Sequence, residues 1–320
     1  VSFGEGGAGT FSDGKLNTGV NDRTGRKRFV LESFVKFGAS EEILYDAKPH
    51  IGTDVLQKVI RAMREEMKSL GASFLFSSKL VGIQKEAGKI TAVTVQRKDG
   101  QENLPCDRLI LAPGHSARDT FSMLKEAGIT MEQKAFAMGV RVEHTQEKID
   151  RIQYGMTDLH LPPSPYKCTG KTKDGRGVYS FCMCPGGFIV PAASGPEQVV
   201  VNGMSPSNRG SRWSNSGMVV ELRPEDLNDQ ELKIDNKELT MPHESTVHSQ
   251  SSILNAQLNM MFFQEALERL CWQQGNMKQT APAQRMTDFT QKKLSYDLPE
   301  SSYAPGLVSS PLHFWMPSFI

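Results

Sequence analysis

Long apolar runs are missing from this 320-residue sequence, and no charged-then-apolar leader opens it, so it reads as neither membrane-spanning nor secreted. Charge of one sign is missing too. Lys and Arg number 37 against 36 Asp and Glu, and the resulting +1 gives no whole-chain case for a nucleic-acid or membrane-surface partner. Cysteine is scarce and odd in number. Cys106, Cys168, Cys182, Cys184 and Cys271 do not make the dense, even framework of a secreted scaffold, so reduced thiols and a cytoplasmic location are expected. Internal repeats are absent as well, which leaves solenoids and propellers aside.

What is present is an ordinary globular composition, 38% hydrophobic with 28 glycines, and a length of about two domains at roughly 150 residues each. Val1 is not Met, and only three residues precede a glycine-rich stretch that normally follows a whole strand. Ser310 to Pro317 is apolar without a polar tail, so the expectation is a fragment.

Residues 28–36 read as a short helix with Phe29, Val30, Phe34 and Val35 on one side. A stronger helix begins at Thr53 or Asp54 as cap, with Val55, Leu56, Val59, Ile60, Met63, Met67 and Leu70 in one stripe and Gly71 at its stop. Strands at 73–76, 79–83 and 89–96 make a small meander. Residues 107–112, around Leu109-Ile110-Leu111-Ala112, read as a strand buried on both faces, and 116–127 as a helix that Gly128 closes. Beyond residue 128 the pattern changes to short strands at 134–143, 177–183, 188–190, 198–202 and 218–222, mostly antiparallel. The polar stretch 225–255 reads as a loop. Residues 259–274 read as a helix with Met260, Phe263, Leu267 and Leu270 on its apolar face.

The opening segment VSFGEGGAGTFSDGKL fits two expressions at once. Gly4 to Gly9 matches G-x-G-x-x-G, yet the turn-forming residues that follow supply no helix N-terminus for a pyrophosphate. Gly9 to Lys15 matches a P-loop until Leu16 stands where a Ser or Thr would bind Mg²⁺. A third reading is a glycine- and hydroxyl-rich nest donating backbone N–H groups to a flat or phosphate-bearing ligand, and a fourth is a plain cluster of surface turns.

Cys182 and Cys184, two residues apart on a strand, would share one face with Cα atoms too far apart for an easy disulfide. They read as small buried residues, as half of a zinc site, or as the lining of a redox pocket beside Pro185-Gly186-Gly187. Gly114-His115-Ser116-Ala117-Arg118 is not a nucleophile elbow, because Arg118 stands where the second Gly belongs. As a strand-to-helix turn it places His115 at a ligand-binding edge, or uses Ser116 as a simple cap. Arg141 and Glu143 alternate on one strand face, where a cross-strand salt bridge is the plain reading.

The segments GEGGAGTFSDGKL, KPHIGTD, LILAPGHSARDTF, KAFAMGVRVEH, GVYSFCMCPGG, NGMS and APAQRMTDF, in that order, are similar to the family of uncharacterised FAD-dependent dehydrogenases, flavoproteins with a glutathione-reductase-like FAD domain. The resemblance implies an α/β fold, α+β overall. Residues 1–128 would be a partial Rossmann-like FAD-binding domain, 129–295 an inserted, mostly antiparallel substrate domain, and 296–320 the start of the return. It implies an N-terminal G-x-G-x-x-G and a C-terminal flavin-closing segment that this sequence lacks, hence weak FAD affinity for residues 1–320 alone. It implies FAD contacts from Gly7, Ala8, Gly9, Thr10 and Ser12, then Asp13 and Lys15, with Ala112, Gly114 and His115 along the cofactor's other edge. Cys182, Cys184 and Arg141 fall on the substrate side, facing a small molecule, with NAD(P)H as a candidate reductant. The alternative is a truncated, non-catalytic scaffold or partner-binding protein of the same fold.

Overall fold

The structure, a computed structural model, describes residues 15–16, 21–155, 160–227, 233–234, 237–238, 258–318 and 320. Apolar spacing near the N-terminal side is realised as helices α1 (Arg26–Lys36) and α2 (Thr53–Ser69). With a 3-10 turn at Glu41–Leu44 they enclose a small core of Leu31, Ile43, Ile51, Leu56 and Val59. Phe29 and Val30 of the expected stripe are exposed, since Leu31, Phe34 and Val35 already fill the inward face of α1. Neither Thr53 nor Asp54 caps α2. The cap position is Gly52 at φ +86, where an added Cβ would lie 2.6 Å from the Ser207 backbone. Asp54 accepts instead from the Ser207 N–H at 3.0 Å and hydroxyl at 2.8 Å, tying α2 to a distant loop.

Strands β1 (Lys79–Glu86), β2 (Lys89–Arg97) and β3 (Gly100–Pro105) form the antiparallel meander. Its third strand comes from residues 100–105, reached through Lys98 and Asp99 alone, while 73–76 are irregular. Residues 107–112 are not a strand. Ile110 is 92% exposed and Leu111 41%, because such a segment is buried only when sheet neighbours and covering layers flank it, and none does among the described residues. Helix α3 (Arg118–Glu126) follows, with Ala117 rather than Ser116 at its cap position.

The larger sheet is antiparallel throughout, in the order β4-β9-β6-β5. It joins β4 (Phe136–Thr145), β5 (Thr169–Lys171), β6 (Gly177–Cys184) and β9 (Trp213–Leu222). β4 and β9 pair without a break from Phe136 opposite Leu222 to Thr145 opposite Trp213. Strands β7 (Phe188–Pro191) and β8 (Val201–Met204) form a separate antiparallel pair. Helix α4 (Gln146–Tyr154), with Ile149 as its one buried apolar residue, has too thin a stripe to be read from sequence.

The stretch 225–255 lies mostly outside the described residues, apart from a 3-10 turn at Pro224–Leu227 and the two-residue strands β10 (Lys233–Ile234) and β11 (Lys237–Glu238). Helix α5 (Asn259–Gln274) packs Met260 and Phe263 against Leu222, Phe136 and Met138. Its inward face continues with Leu267 and the carboxylate Glu268, while Leu270 is only half-buried. β12 (Ala281–Ala283) and β13 (Leu307–Ser309) are the one parallel pair among the described residues, flanked by α6 (Met286–Thr290) and α7 (Leu312–Trp315). The architecture is therefore α+β with mostly antiparallel sheets. Among the described residues, no helix is long and apolar enough to cross a membrane.

Cys271 packs against the core of Ile189, Val199, Ala281 and Tyr303. Burial, reinforced by the Glu268 charge, pushes its thiol up from an ordinary 9.0 to about 12. The folded state thus holds this proton more tightly than the unfolded chain. Stability is complete below about pH 9 and declines as pH rises toward 12. Thermal melts are expected to show this alkaline decline, flattened in Cys271→Ala, and alkylation at neutral pH is expected to label exposed Cys168 long before Cys271.

Candidate functional site

Strand register assembles a polar cluster on one face of the larger sheet. Arg141 lies opposite Gly217, which lies opposite Phe181, and Glu143 lies opposite Asn215, which lies opposite Cys184. From Phe181 to Cys184 strand β6 takes one more residue than its partner, a bulge, and Cys182 within it has φ +49. This breaks the alternation that would have put both thiols on one face. What Cys182 presents to the cluster is its carbonyl, which accepts from Arg141 Nη1 at 3.5 Å and from the Cys184 thiol at 3.3 Å.

Arg141 is held by neutral acceptors. Nη1 donates to Asn215 Oδ1 at 2.6 Å and Nη2 to Asn202 Oδ1 at 3.3 Å. Neither Arg141 nor Glu143 makes the expected cross-strand salt bridge among the described residues; Glu143 accepts the Ser302 N–H at 3.2 Å and the Ser302 hydroxyl instead. Gly203 of β8 closes the cluster from above. A Cβ there would overlap Asn215 Oδ1 and Arg141 Nη1 and lie 2.9 Å from Cys184 Sγ, so these three groups face one small volume.

Lys15 enters from far away in sequence. Its Nζ donates to the Met183 carbonyl and stands 3.9 Å from Cys184 Sγ. The Leu16 N–H donates to Pro49 O at 3.0 Å, and Lys15 forms a bridge with His50. The turn it meets is fixed on several sides. Gly186 N–H donates to Gln146 Oε1 at 2.8 Å, and Ser205 donates to Pro185 O at 3.0 Å.

On the other face of the sheet, His144 meets Tyr166 edge-to-face at 5.9 Å between ring centroids. Burial, then the Lys148 charge, pushes the imidazole down, with Glu143 working against them. Burial pushes the Tyr166 phenol up, partly offset by Ser216 and the Arg141 charge. Both rings are thus held neutral around physiological pH.

Gly7, Ala8, Gly9, Thr10, Ser12 and Asp13 lie outside the described residues. Ala112, Gly114 and His115 are exposed, and Gly114 takes φ +73 with nothing within 4 Å of an added Cβ. The His115 ring lies 3.4 Å from Ser116 Oγ, and no described hydrogen bond joins this turn to the Arg141 cluster. Among the described residues no group of three or more His, Cys, Asp or Glu is placed to hold a metal, so the zinc reading of Cys182 and Cys184 finds no ligand set. Sequence reading missed Asn202, Asn215 and Tyr166. The signal for Asn215 was available: Ser214-Asn215-Ser216 is a polar run in mid-strand, and a buried run of that kind needs a partner network.

Residues 135–320 match the family described as FAD-dependent protein, C-terminal domain-like. A Clostridium beijerinckii protein, called an uncharacterized protein, is 40% identical over 325 residues, covering 100% of this chain and 55% of its own length. The chain spans about half the length of that relative. An α+β sheet domain with a cation-flanked thiol thus belongs to a flavoprotein-related class, and the chain is a member of this FAD-dependent protein family.

Proposed function

We propose that the chain forms part of an FAD-dependent oxidoreductase, a dehydrogenase, acting on a small-molecule substrate. The observation that carries this reading is Lys15. The residue directly after the glycine-rich segment is seated against the Met183 carbonyl and the Cys184 thiol of the sheet that bears Arg141. That contact supports a site shared by the glycine-rich segment and the C-terminal-domain-like region.

The residues fit the cofactor in two respects. Lys15 places positive charge beside a thiol, which suits an electron-rich ring, and Gly114 offers exposed backbone with open space on its Cβ side. Bound FAD would supply the acceptor or donor of a hydride or electron pair. Gly7, Ala8, Gly9, Thr10, Ser12 and Asp13 would hold it through backbone and hydroxyl groups, with Ala112, Gly114 and His115 along another edge. Arg141 would orient the substrate, and Gly203, packed over the guanidinium and Cys184, would limit water there. The proposed division assigns 1–128 to the cofactor side, 129–295 to the substrate side and 296–320 to the return. Anaerobic addition of NADH or NADPH to the chain supplied with FAD is expected to bleach the visible flavin band faster than in FAD without protein. A rate with either nicotinamide no faster than in FAD without protein would sink the redox reading.

A further inference from the structure

We propose that Arg141 anchors a carboxylate on the ligand of this site. The proposal deepens the reading above and takes the flavoprotein as its setting.

Two independent observations carry it. The first is the charge balance of Arg141. The guanidinium donates three hydrogen bonds, to Asn215 Oδ1, Asn202 Oδ1 and Cys182 O, all neutral acceptors that orient the group without neutralising it. Glu143, the acid nearest along the strand on the same face, is committed to the N–H and hydroxyl of Ser302. Arg141 has no carboxylate partner among the described residues, and it is half-buried. Partial burial makes an uncompensated cation costly, so the arrangement is stable only at some expense unless an anion arrives. Arg has five N–H donors in a planar fork, and the two that remain match the two oxygens of a carboxylate.

The second observation is Asn215. The residue is fully buried, its Oδ1 is used by Arg141, and its Nδ2 is an orphaned donor with no hydrogen bond. A buried amide with one end satisfied and the other empty, beside an uncompensated guanidinium, is one acceptor short. An anionic oxygen supplies both deficits. Gly203 packs directly against Asn215 Oδ1, Arg141 Nη1 and Cys184 Sγ with no room for a Cβ, so a ligand reaches Arg141 through its unused N–H groups and not from the Gly203 side.

The test is thermal melting of the full chain with sodium benzoate or sodium succinate, against benzamide or succinamide, with sodium sulfate at matched ionic strength. The carboxylates are expected to raise the melting temperature in a saturable way, and the amides and sulfate are not. Arg141→Gln is expected to weaken the carboxylate effect at least tenfold while leaving bound FAD unchanged. Arg141→Lys, which keeps the charge and loses the fork, is expected to fall between, and it serves if the Gln variant does not fold.

Equal carboxylate binding by both variants overturns the proposal, and so does no binding by the wild type. Equal binding of sulfate overturns the carboxylate class. Loss of FAD in step with the Arg141 substitutions makes the residue a cofactor ligand and also overturns it. Because melting needs no flavin, Arg141-dependent carboxylate binding by a protein that takes up no added FAD would support the anchor while refuting the flavoprotein reading. A flavin-bearing protein indifferent to carboxylates would do the reverse.

Discussion

Glu268→Ala is expected to lower the stability of the folded protein by about 3 kcal/mol or more. Arg118, the first residue of α3, places Nη2 2.7 Å from Glu268 Oε1 on α5, with side chains only 10% and 8% exposed. Gln198 accepts from Arg118 Nη1 at 3.3 Å, and Gln264 donates to the same Glu268 oxygen at 3.0 Å. Removing the carboxylate leaves a buried guanidinium with only Glu265, 3.7 Å away and 34% exposed, to answer it. Desolvation already paid in the folded state then goes uncompensated. Replacing both partners, as Arg118→Met with Glu268→Leu, removes the charge along with the need for its partner, and most of the stability is expected to return. Urea unfolding followed by tryptophan fluorescence reads the difference. A double variant less stable than Glu268→Ala would show that the pair contributes net stability. The pair also joins the exposed turn bearing Gly114 and His115 to α5, so it fixes one proposed cofactor edge relative to the larger sheet.

The second large effect is expected at Gly186. Its φ of +56 disfavours any side chain by about 1–2 kcal/mol. An added Cβ would also overlap the Arg209 carbonyl, a backbone atom that cannot swing aside, at a further cost of about 1–3 kcal/mol. Gly186→Ala therefore combines two penalties in the turn that supports Met183 and Cys184. Gly128→Ala is the control. It has φ +70 but open space around the Cβ position, so it carries the conformational penalty of roughly 1 kcal/mol alone. Denaturation midpoints of the two variants should differ clearly. Equal midpoints would mean that the Arg209 segment yields easily.

Where the sequence was legible, a local period matched a local environment. α5 begins and ends where its spacing places it, and β4, β6 and β9 of the larger sheet overlap the runs at 134–143, 177–183 and 218–222, while the three-residue β5 was not read from sequence. The failures have physical causes of the opposite kind. Leu109 to Ala112 has the composition of a buried strand, yet burial depends on neighbours that no local pattern contains. Glu268 sits where the stripe of α5 calls for an apolar residue, because a distant Arg118 makes a buried carboxylate tolerable there. Of the candidate site, Arg141, Cys184 and Lys15 were chosen from sequence, and the structure brings them together. Asn202 and Asn215 escaped, since an asparagine gains meaning only from what its amide faces. The bulge at Cys182 escaped too, because strict alternation was assumed through it.

The central claim is that this chain, with Lys15 drawn against Cys184, helps to hold FAD. Its most direct test is the flavin content of the purified full chain, released by denaturation and identified chromatographically. Little FAD is expected to survive purification of residues 1–320 alone, while titration with FAD is expected to load the protein saturably at weak affinity. A colourless protein that takes up no FAD would contradict it.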